Sequence, residues 1–370
     1  MSEEKTQVIH EDLNRSLQER HIQLIALGGA IGVGLFLGSA SAIEKAGPGV
    51  VLAYIIAGIA IFFVMRALGE LTVEYPVSGS FSAHAYQVLS PLAGYVSGWN
   101  YWYVWVVTCM AEITAVGVYV HLWLPDLPQW ISCLVALGLM TCANLFSVKA
   151  YGEFEFWFAL IKVVTIIFLI LTGVGMIVFG LGNDGIPVGI SNLTEHGGFL
   201  PHGIGGVFDT MLMVLFAYVG IEIIGVTAGE AADPEKNLSA AIDKVLYRIL
   251  LFYVLALLVI MSIYPWDQLG HQGSPFVMVF EKLGITAAGH VINFVVITAA
   301  LSSCNSGIYS TGRMLYNLSL QGKAPKMFSA VSSNKVPYKA LGVSVVFMLI
   351  GVVLNYFLPA SVFEIITSVS

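Results

Sequence analysis

The sequence contains few charged residues. Only 11% of its 370 residues are Asp, Glu, Lys or Arg, whereas an ordinary soluble domain has about 25%. So few charges could not cover the surface of a soluble enzyme of this size, and they also exclude a disordered chain and a nucleic-acid-binding protein. With 57% hydrophobic residues, the composition predicts an all-α, polytopic membrane protein.

The sequence also lacks the motifs of metal and disulfide chemistry. The four cysteines have no spacing typical of metal ligands and all lie in apolar stretches, so we expect buried, small hydrophobic residues at Cys109, Cys133, Cys142 and Cys304. No H-E-x-x-H motif occurs, nor any aspartate-rich motif in an apolar stretch, which argues against a metal-dependent intramembrane enzyme. A signal peptide is absent too, and the mixed polar residues 1–20 predict a short cytosolic tail.

Nine apolar stretches are long enough to cross a bilayer, which takes about 20 residues of helix. We number them spans 1 to 9, at about 22–46, 49–71, 93–122, 129–148, 155–180, 205–229, 247–264, 285–312 and 339–358. A tenth stretch begins near Ser361.

The basic residues between the spans predict the orientation. Of the 16 Lys and Arg residues, 13 fall in segments on one side, and only Lys45 and Lys282 fall on the other. The remaining one, Lys162, lies within span 5. By the positive-inside rule, the N-terminus is expected in the cytosol.

Two spans contain residues that interrupt a helix. Span 1 has four glycines within seven residues, at positions 28, 29, 32 and 34, which make a poor helix interior. Span 6 contains Gly220 and Gly225, with the carboxylate Glu222 between them. Close helix packing explains one such span, but two at corresponding positions of two five-span halves indicate a transporter binding site.

An unwound segment exposes backbone groups that lipid cannot satisfy. The N-terminal end of a half-helix offers N–H groups and a partial positive charge to a carboxylate. The C-terminal end of the other half offers carbonyl oxygens to an ammonium group. A zwitterionic amino acid matches this pair of ends.

Several stretches also resemble those of a known family. They are Arg20 to Phe36, Glu153 to Lys162, Phe216 to Glu222 with Ala228-Gly229-Glu230 and Asp233-Pro234-Glu235-Lys236, and Ser302 to Leu315. In these motifs the chain resembles the bacterial amino acid transporter family of the amino acid–polyamine–organocation superfamily. The resemblance is to its permeases for proline, for threonine and serine, and for alanine, glycine and D-serine.

The resemblance implies the leucine-transporter-type fold of two inverted five-helix repeats, with interrupted spans 1 and 6 and a site built mainly from spans 1, 3, 6 and 8. We expect the first repeat over 21–180 and an incomplete second repeat over 205–370. Because family members commonly have twelve spans, we expect a C-terminally truncated chain with the last helices missing, which puts independent transport in doubt. The implied location is the bacterial cytoplasmic (inner) membrane, in which the chain would be multi-pass.

The resemblance also implies the substrate contacts. The substrate carboxylate would bind the backbone around Ile31, Gly32, Val33 and Gly34, in agreement with the unwinding argument. The ammonium group would bind the carbonyl oxygens of Phe216, Ala217 and Val219, and Tyr218 lies in the same unwound stretch. Phe216 resembles the family's aromatic gate, although simple packing would explain it as well.

Lys162 is the most informative single residue. It lies about eight residues into span 5, hence about 12 Å along the helix axis. An ionisable group is costly to place at such depth in a membrane, so its presence suggests a functional role. The resemblance implies a lysine that bridges spans 1 and 8 and takes part in proton coupling, and a purely structural tie to span 1 is the alternative.

Two carboxylates within the spans are further candidates for proton coupling or gating. Glu222 lies in the break of span 6, where it would carry a proton or hold a helix end. Glu112 lies in the middle of span 3, where a hydrogen bond to a neighbouring tyrosine is the other explanation. Arg66, Glu70 and Glu230 suggest a charged inner gate, although an ordinary i,i+4 pair explains the first two equally well.

Span 8 is unusually polar. Its polar face consists of Ser302, Ser303, Asn305 and Ser306. Hydrogen bonding between helices explains such a face, whereas in sodium-coupled relatives hydroxyl groups of this helix help to bind the ion. Lys162 would bring its own positive charge to that place, which favours protons over sodium.

These observations predict a secondary active transporter, not an enzyme. It would import small neutral amino acids (proline, alanine, glycine, serine or threonine) by alternating access, driven by the proton gradient without a cofactor or a metal. Its partners would be the amino acid and the lipid bilayer, with no nucleic acid and no obligate protein partner. The alternatives are an inactive or partner-dependent fragment of a permease, and an amino-acid sensor with the same fold.

Overall fold

The computed structural model describes residues 17, 21–22, 24–25, 31–75, 77, 79–146, 148–227, 230, 250–269, 274–284, 287–359 and 361–368. Every regular element within these residues is a helix. The predicted all-α, polytopic fold is thereby confirmed. Most of the predicted tail, the glycines at positions 28 and 29 and the start of span 7 lie outside the described residues.

Six helices of the described residues are long and apolar enough to cross a membrane. Five of them correspond to spans 3, 4, 5, 8 and 9 and run over Pro91–His121, Gln129–Phe146, Tyr151–Phe179, Ala288–Leu320 and Tyr338–Phe357. The sixth, Ser39–Glu74, comprises the end of span 1 and the whole of span 2. Two shorter apolar helices, Gly203–Phe216 and Leu250–Ile263, belong to spans 6 and 7. The helix of span 5, Val148–Phe179, begins earlier than predicted, and that of span 8, Ala288–Leu320, ends later. The reason is that hydropathy marks only the apolar part of a helix.

Spans 1 and 6 are each interrupted. In span 1, Gly34–Gly38 forms a π-helical turn that leads into the α-helix Ser39–Ala46. In span 6, the helix Met211–Phe216 ends before the break and Ile223–Thr227 follows it. The residues between them form turns, and Gly220 has a φ of 108° there, a backbone conformation that costs glycine little and other residues much.

Spans 3 and 8 form the interior of the helix bundle. In each, 78% of the most apolar 18 residues are buried, compared with 28% in span 5. The two helices pack against each other, and Gly307 allows their close approach because a Cβ at this position would lie 2.6 Å from the Trp105 ring. Small residues serve this purpose at helix contacts in membranes.

Short helices connect the spans. They are Ser80–Val88 between spans 2 and 3, Asn192–Glu195 between spans 5 and 6, Trp266–Leu269 and Pro275–Lys282 between spans 7 and 8, and Lys326–Ser329 between spans 8 and 9. The tenth apolar stretch forms a helix over Val362–Ser368. The predicted burial of the cysteines holds for three of them and is wrong for Cys142, which is exposed, because an apolar span also has a face outside the bundle.

Candidate functional site

The breaks of spans 1 and 6 lie side by side. A Cβ added to Gly34 would be 3.3 Å from the Cα of Ala217 and 3.5 Å from the Phe216 ring. The absence of a side chain at Gly34 therefore lets the two backbones approach each other. The π-helical turn of span 1 and the C-terminal end of the helix Met211–Phe216 meet at this point.

A small cavity lies between the two breaks and the interior helices. Its volume is about 10 Å³, which is room for roughly one water molecule. The residues that line it come from spans 1, 3, 6 and 8 and are Gly32, Gly34, Trp105, Thr108, Glu112, Phe216, Ala217, Val219 and Ser303. An amino acid is larger than this space, so its binding requires lining side chains to move.

Two polar atoms of the cavity lining have no hydrogen-bond partner among the described residues. They are Oγ1 of Thr108 and Oε2 of Glu112, both on side chains that are 3% exposed. The Glu112 carboxyl group also interacts with the Ser303 hydroxyl and the Val33 backbone. An unpaired buried polar atom costs about 1–3 kcal/mol, so both atoms favour a polar ligand or a proton in the cavity.

The predicted substrate contacts divide into two groups. Gly32, Gly34, Phe216, Ala217 and Val219 line the cavity.

The other three predicted contacts, Ile31, Val33 and Tyr218, are not part of the cavity lining. Ile31 and Val33 are buried beside it. The Tyr218 hydroxyl donates a hydrogen bond of 2.8 Å to the carbonyl of Tyr54 in span 2. The Ala217 carbonyl, although its residue lines the cavity, already accepts a hydrogen bond of 2.9 Å from Tyr253.

Lys162 lies in a buried polar chain between spans 5 and 8. Its side chain is fully buried, and Nζ donates a hydrogen bond of 2.8 Å to the Ser302 hydroxyl. Ser302 in turn donates to Oε1 of Glu155, and Asn305 donates to Oε2 at 3.3 Å. Asn144 of span 4 reaches Asn305 at 2.8 Å. The polar face of span 8 is thus used for contacts between helices.

Tyr151 and Ser306 continue this chain. Their hydroxyl oxygens lie 3.3 Å apart, and both side chains are buried. Ser306 also bonds to the Glu155 carboxyl group. All four predicted polar residues of span 8 therefore contact either the cavity or the chain around Lys162.

Glu222 holds the break of span 6 against span 3. Its Oε1 accepts hydrogen bonds from the Tyr101 hydroxyl at 3.0 Å and from the Trp105 indole at 3.2 Å. Its Oε2 accepts from the backbone N–H of Gly220 at 2.8 Å. Of the two roles considered for this residue, holding a helix end is the one that these contacts describe.

A second cluster lies on the predicted inner side of the membrane. Arg313 and Glu230 form a salt bridge of 3.1 Å whose side chains are 1% and 0% exposed. Tyr309 donates to Glu230, and its ring stacks on that of Tyr151 at 4.1 Å. The backbone N–H of Leu17 donates to the Glu230 carbonyl at 3.1 Å. The cluster therefore joins the start of the chain to spans 5, 6 and 8.

The inner-gate hypothesis grouped Arg66 and Glu70 with Glu230. In the structure these two form a separate i,i+4 pair of 3.5 Å whose side chains are 58% and 73% exposed. The partner of Glu230 is Arg313 instead. The ordinary helix pair is thus the explanation that the geometry favours for Arg66 and Glu70.

Three residues of the site were not among the predicted ones. Trp105 and Thr108 line the cavity, and Glu155 faces Lys162 through Ser302. Helical spacing could have indicated them, because Thr108 lies one turn before Glu112 and Glu155 lies two turns before Lys162 on the same face.

Known proteins resemble this chain over nearly its whole length. It is 59% identical over 360 residues to "Uncharacterized amino acid permease YtnA" of Bacillus subtilis (strain 168), covering 97% of this chain and 78% of that protein. It is 53% identical over 361 residues to "Probable threonine/serine transporter YbxG" of the same organism, covering 98% and 78%. It is 48% identical over 356 residues to "Aromatic amino acid transport protein AroP" of Escherichia coli (strain K12), covering 96% and 78%.

These relatives are transporters rather than enzymes, as the sequence predicts. The profile of the family described as "Amino acid permease" matches residues 21–370. The adjoining helix breaks, the cavity between them and these matches lead to one conclusion: the chain belongs to the amino acid permease family of multi-pass membrane transporters.

Proposed function

We propose that this chain imports small neutral amino acids across the bacterial inner membrane by proton symport, with alternating access. The observation that carries the proposal is the cavity between the two helix breaks. Glu112 is the one ionisable side chain among the described residues that line it. A zwitterion brings its own two charges to the backbone ends of the half-helices and needs no further charged partner.

The size and the polarity of the lining favour a small substrate. Trp105 and Phe216 occupy much of the space beside the breaks, and Thr108 offers an unpaired hydroxyl group. Serine and threonine would pair with this hydroxyl, which agrees with the printed name of one relative. The name of another relative makes aromatic amino acids the competing class, and these would require a larger displacement of Trp105.

Protons are the proposed coupling ion because of the buried ionisable groups. Lys162 donates to Ser302 on the polar face of span 8 and interacts electrostatically with Glu112 beside the cavity. An ammonium group at this place repels a sodium ion. The distribution of Lys and Arg supports a cytosolic N-terminus. The driving proton flow would therefore run toward the side of the membrane on which the N-terminus lies.

Uptake into liposomes tests the proposal. The reconstituted chain is given an inward proton gradient and labelled alanine, glycine, proline, serine, threonine or phenylalanine. We expect uptake of the small amino acids that stops when an ionophore dissipates the gradient. Gradient-independent uptake would rule out proton symport, and binding without uptake would favour the sensor or the partner-dependent fragment.

A pair of lysine variants provides the matched control. Lys162 is fully buried and Lys149, on the same helix, is exposed. We expect Lys162→Ala to abolish gradient-driven uptake and Lys149→Ala to leave it within about twofold of the original, because only the buried ammonium group lies in the polar chain. Equal uptake by both variants would remove Lys162 from the mechanism.

A further inference from the structure

Three ionisable groups share one buried region. Glu112, Lys162 and Glu155 are 3%, 0% and 0% exposed. Lys162 reaches Glu155 through the Ser302 hydroxyl and lies near enough to both carboxyl groups to interact with them electrostatically. One positive charge thus faces two groups that are each able to carry a negative charge.

The two carboxyl groups differ in their hydrogen bonds. Both oxygens of Glu155 accept from donors, Oε1 from Ser302 and Oε2 from Asn305. Donors to both oxygens stabilise the ionised form of a carboxyl group. Glu112, by contrast, has one oxygen without a partner among the described residues, and its residue lines the cavity.

The Ser302 hydroxyl connects Lys162 to Glu155. A serine hydroxyl has one proton to donate, and Ser302 donates it to Glu155. Its oxygen therefore accepts from Nζ of Lys162, which suits an ammonium group with three donors. The arrangement is that of an ion pair between Lys162 and Glu155 bridged by one hydroxyl.

Once this ion pair is formed, the net charge of the region depends on Glu112. With Lys162 and Glu155 both ionised, a protonated Glu112 leaves the region neutral, whereas an ionised Glu112 leaves one net negative charge buried. A buried charge without a partner is costly. The charge balance therefore favours a protonated Glu112 while the cavity is closed, and contact of its unpaired oxygen with water or substrate would favour release of the proton.

We propose that Glu155 is the permanent counter-ion of Lys162. Because the charge of Glu155 offsets that of Lys162, Glu112 is left as the group that binds and releases the coupling proton. Glu155 is a positioning residue in this scheme, since it touches neither the substrate nor the cavity. The inference deepens the proposed function, because it identifies the proton site of the proposed symport. Of the three candidates for proton coupling that the sequence suggests, Lys162, Glu222 and Glu112, it selects Glu112.

Other ionisable groups surround the three. Cys109 of span 3 lies near Glu112, and its thiol also contacts the carbonyl of Cys304 in span 8 at 3.6 Å. Tyr151 lies on the same helix as Glu155, and the pair Glu230–Arg313 lies beyond it. That pair is already neutral as a unit, so it does not supply the charge that Lys162 needs.

Infrared spectroscopy of the purified full chain tests the proposal without requiring transport. The C=O band of protonated carboxyl groups is followed against pH in the original protein and in Glu112→Gln, Glu155→Gln and Glu153→Gln. The last variant is the matched control, because Glu153 is a neighbouring carboxylate on the same helix whose side chain is 36% exposed and pairs with His21 at 3.2 Å.

We expect Glu112→Gln to remove one titrating band. In Glu155→Gln that band should remain but its midpoint should shift by about 1–3 pH units toward acid, because the ammonium group of Lys162 then has Glu112 as its nearest counter-charge. Glu153→Gln should leave the midpoint unchanged. Loss of the band in Glu155→Gln, or an unshifted midpoint, would overturn the proposal, whereas absent uptake with the expected band shifts would overturn only proton symport.

A double variant covers the case in which Glu155→Gln does not fold. Glu155→Gln with Lys162→Met removes both members of the ion pair and leaves no uncompensated charge. We expect this protein to fold and its Glu112 band to titrate within about 1 pH unit of the original protein, because the charges of the two removed groups cancel. A midpoint several pH units above that of the original protein would show that Lys162 acts on Glu112 without being offset by Glu155, and would contradict the proposal.

Discussion

At the scale of single residues, Glu222 shows how a carboxylate stabilises an unwound helix. It accepts from Tyr101, from Trp105 and from the N–H of Gly220. Two of these donors belong to span 3 and one to the break itself. Because all three are buried or partly buried, each would lose its partner at once if the carboxylate were absent.

We therefore expect Glu222→Ala to destabilise the protein by several kcal/mol, since each orphaned donor costs about 1–3 kcal/mol. Thermal unfolding in detergent measures this effect, and uptake should fall at least tenfold. Glu70→Ala is the matched control, because that carboxylate is 73% exposed in its pair with Arg66 and such pairs contribute about 0–1 kcal/mol. Equal effects of the two variants would contradict the role assigned to Glu222.

Thr108 is expected to determine preference for a hydroxyl-bearing substrate. Thr108→Val removes the unpaired hydroxyl and keeps the shape of the side chain. We expect the KM for serine to rise roughly 2- to 10-fold relative to that for alanine, which corresponds to one lost hydrogen bond. Folding stability should stay the same or rise, because the lost hydroxyl has no partner within the described part of the chain.

Thr114→Val is the control for this experiment. The Thr114 hydroxyl is buried on the same helix but is used in structure, since it donates to the Met110 carbonyl at 2.7 Å and accepts from Asn355 at 2.7 Å. We expect this variant to lose stability and to keep the serine-to-alanine ratio. A changed ratio here, or an unchanged one in Thr108→Val, would show that Thr108 does not contact the substrate.

The sequence is informative about residues in proportion to how unusual they are. Lys162, Glu112 and Glu222 are conspicuous because an ionisable group is rare in an apolar span. Thr108 and Trp105 are ordinary residues of a membrane helix, and only the packing of span 3 against the breaks shows that they face the cavity. Glu155 lies near the predicted end of a span, where a carboxylate is normal, so its burial follows only from the contact with span 8.

At the scale of elements, glycine lets the two broken helices approach. Gly34→Ala would place a Cβ 3.3 Å from the Cα of Ala217 in span 6. A backbone atom cannot relieve such a contact by changing rotamer, as a side chain can. We expect at least a tenfold loss of uptake with a smaller loss of thermal stability, because the two breaks would be held apart. Gly38→Ala, four residues later, meets nothing within 4 Å and should be neutral or slightly stabilising. Equal uptake by both variants would contradict the close approach.

The positions of the helices were predictable because a helix that crosses lipid needs a long run of apolar residues. Six predicted spans correspond to long helices and the breaks of spans 1 and 6 fall where glycine is dense. The helix ends were less predictable, since spans 5 and 8 continue into polar sequence. Which faces of the helices meet depends on packing between residues more than 100 positions apart. Such long-range contacts cannot be recognised from a single sequence.

At the scale of the whole molecule, the buried pair of Arg313 and Glu230 joins distant parts of the chain. We expect Arg313→Met to cost about 3–5 kcal/mol, because it leaves the Glu230 carboxylate buried without its partner. The double variant Glu230→Gln with Arg313→Met should recover most of this loss. Thermal unfolding of the single and double variants measures both effects, and additive losses would show that the two side chains are not coupled.

The bond between Lys162 and Ser302 also has a consequence for biosynthesis. The two residues are 140 positions apart, and a ribosome adding about 5–20 residues per second needs roughly 7 to 28 seconds to make that length. During this interval the nascent chain holds Lys162 and Glu155 in or near the bilayer before the bridging serine exists. Until span 8 is made, Lys162 and Glu155 therefore lack this bridge, and we expect crosslinking of a stalled nascent chain that ends before span 8 to find span 5 beside the insertion machinery.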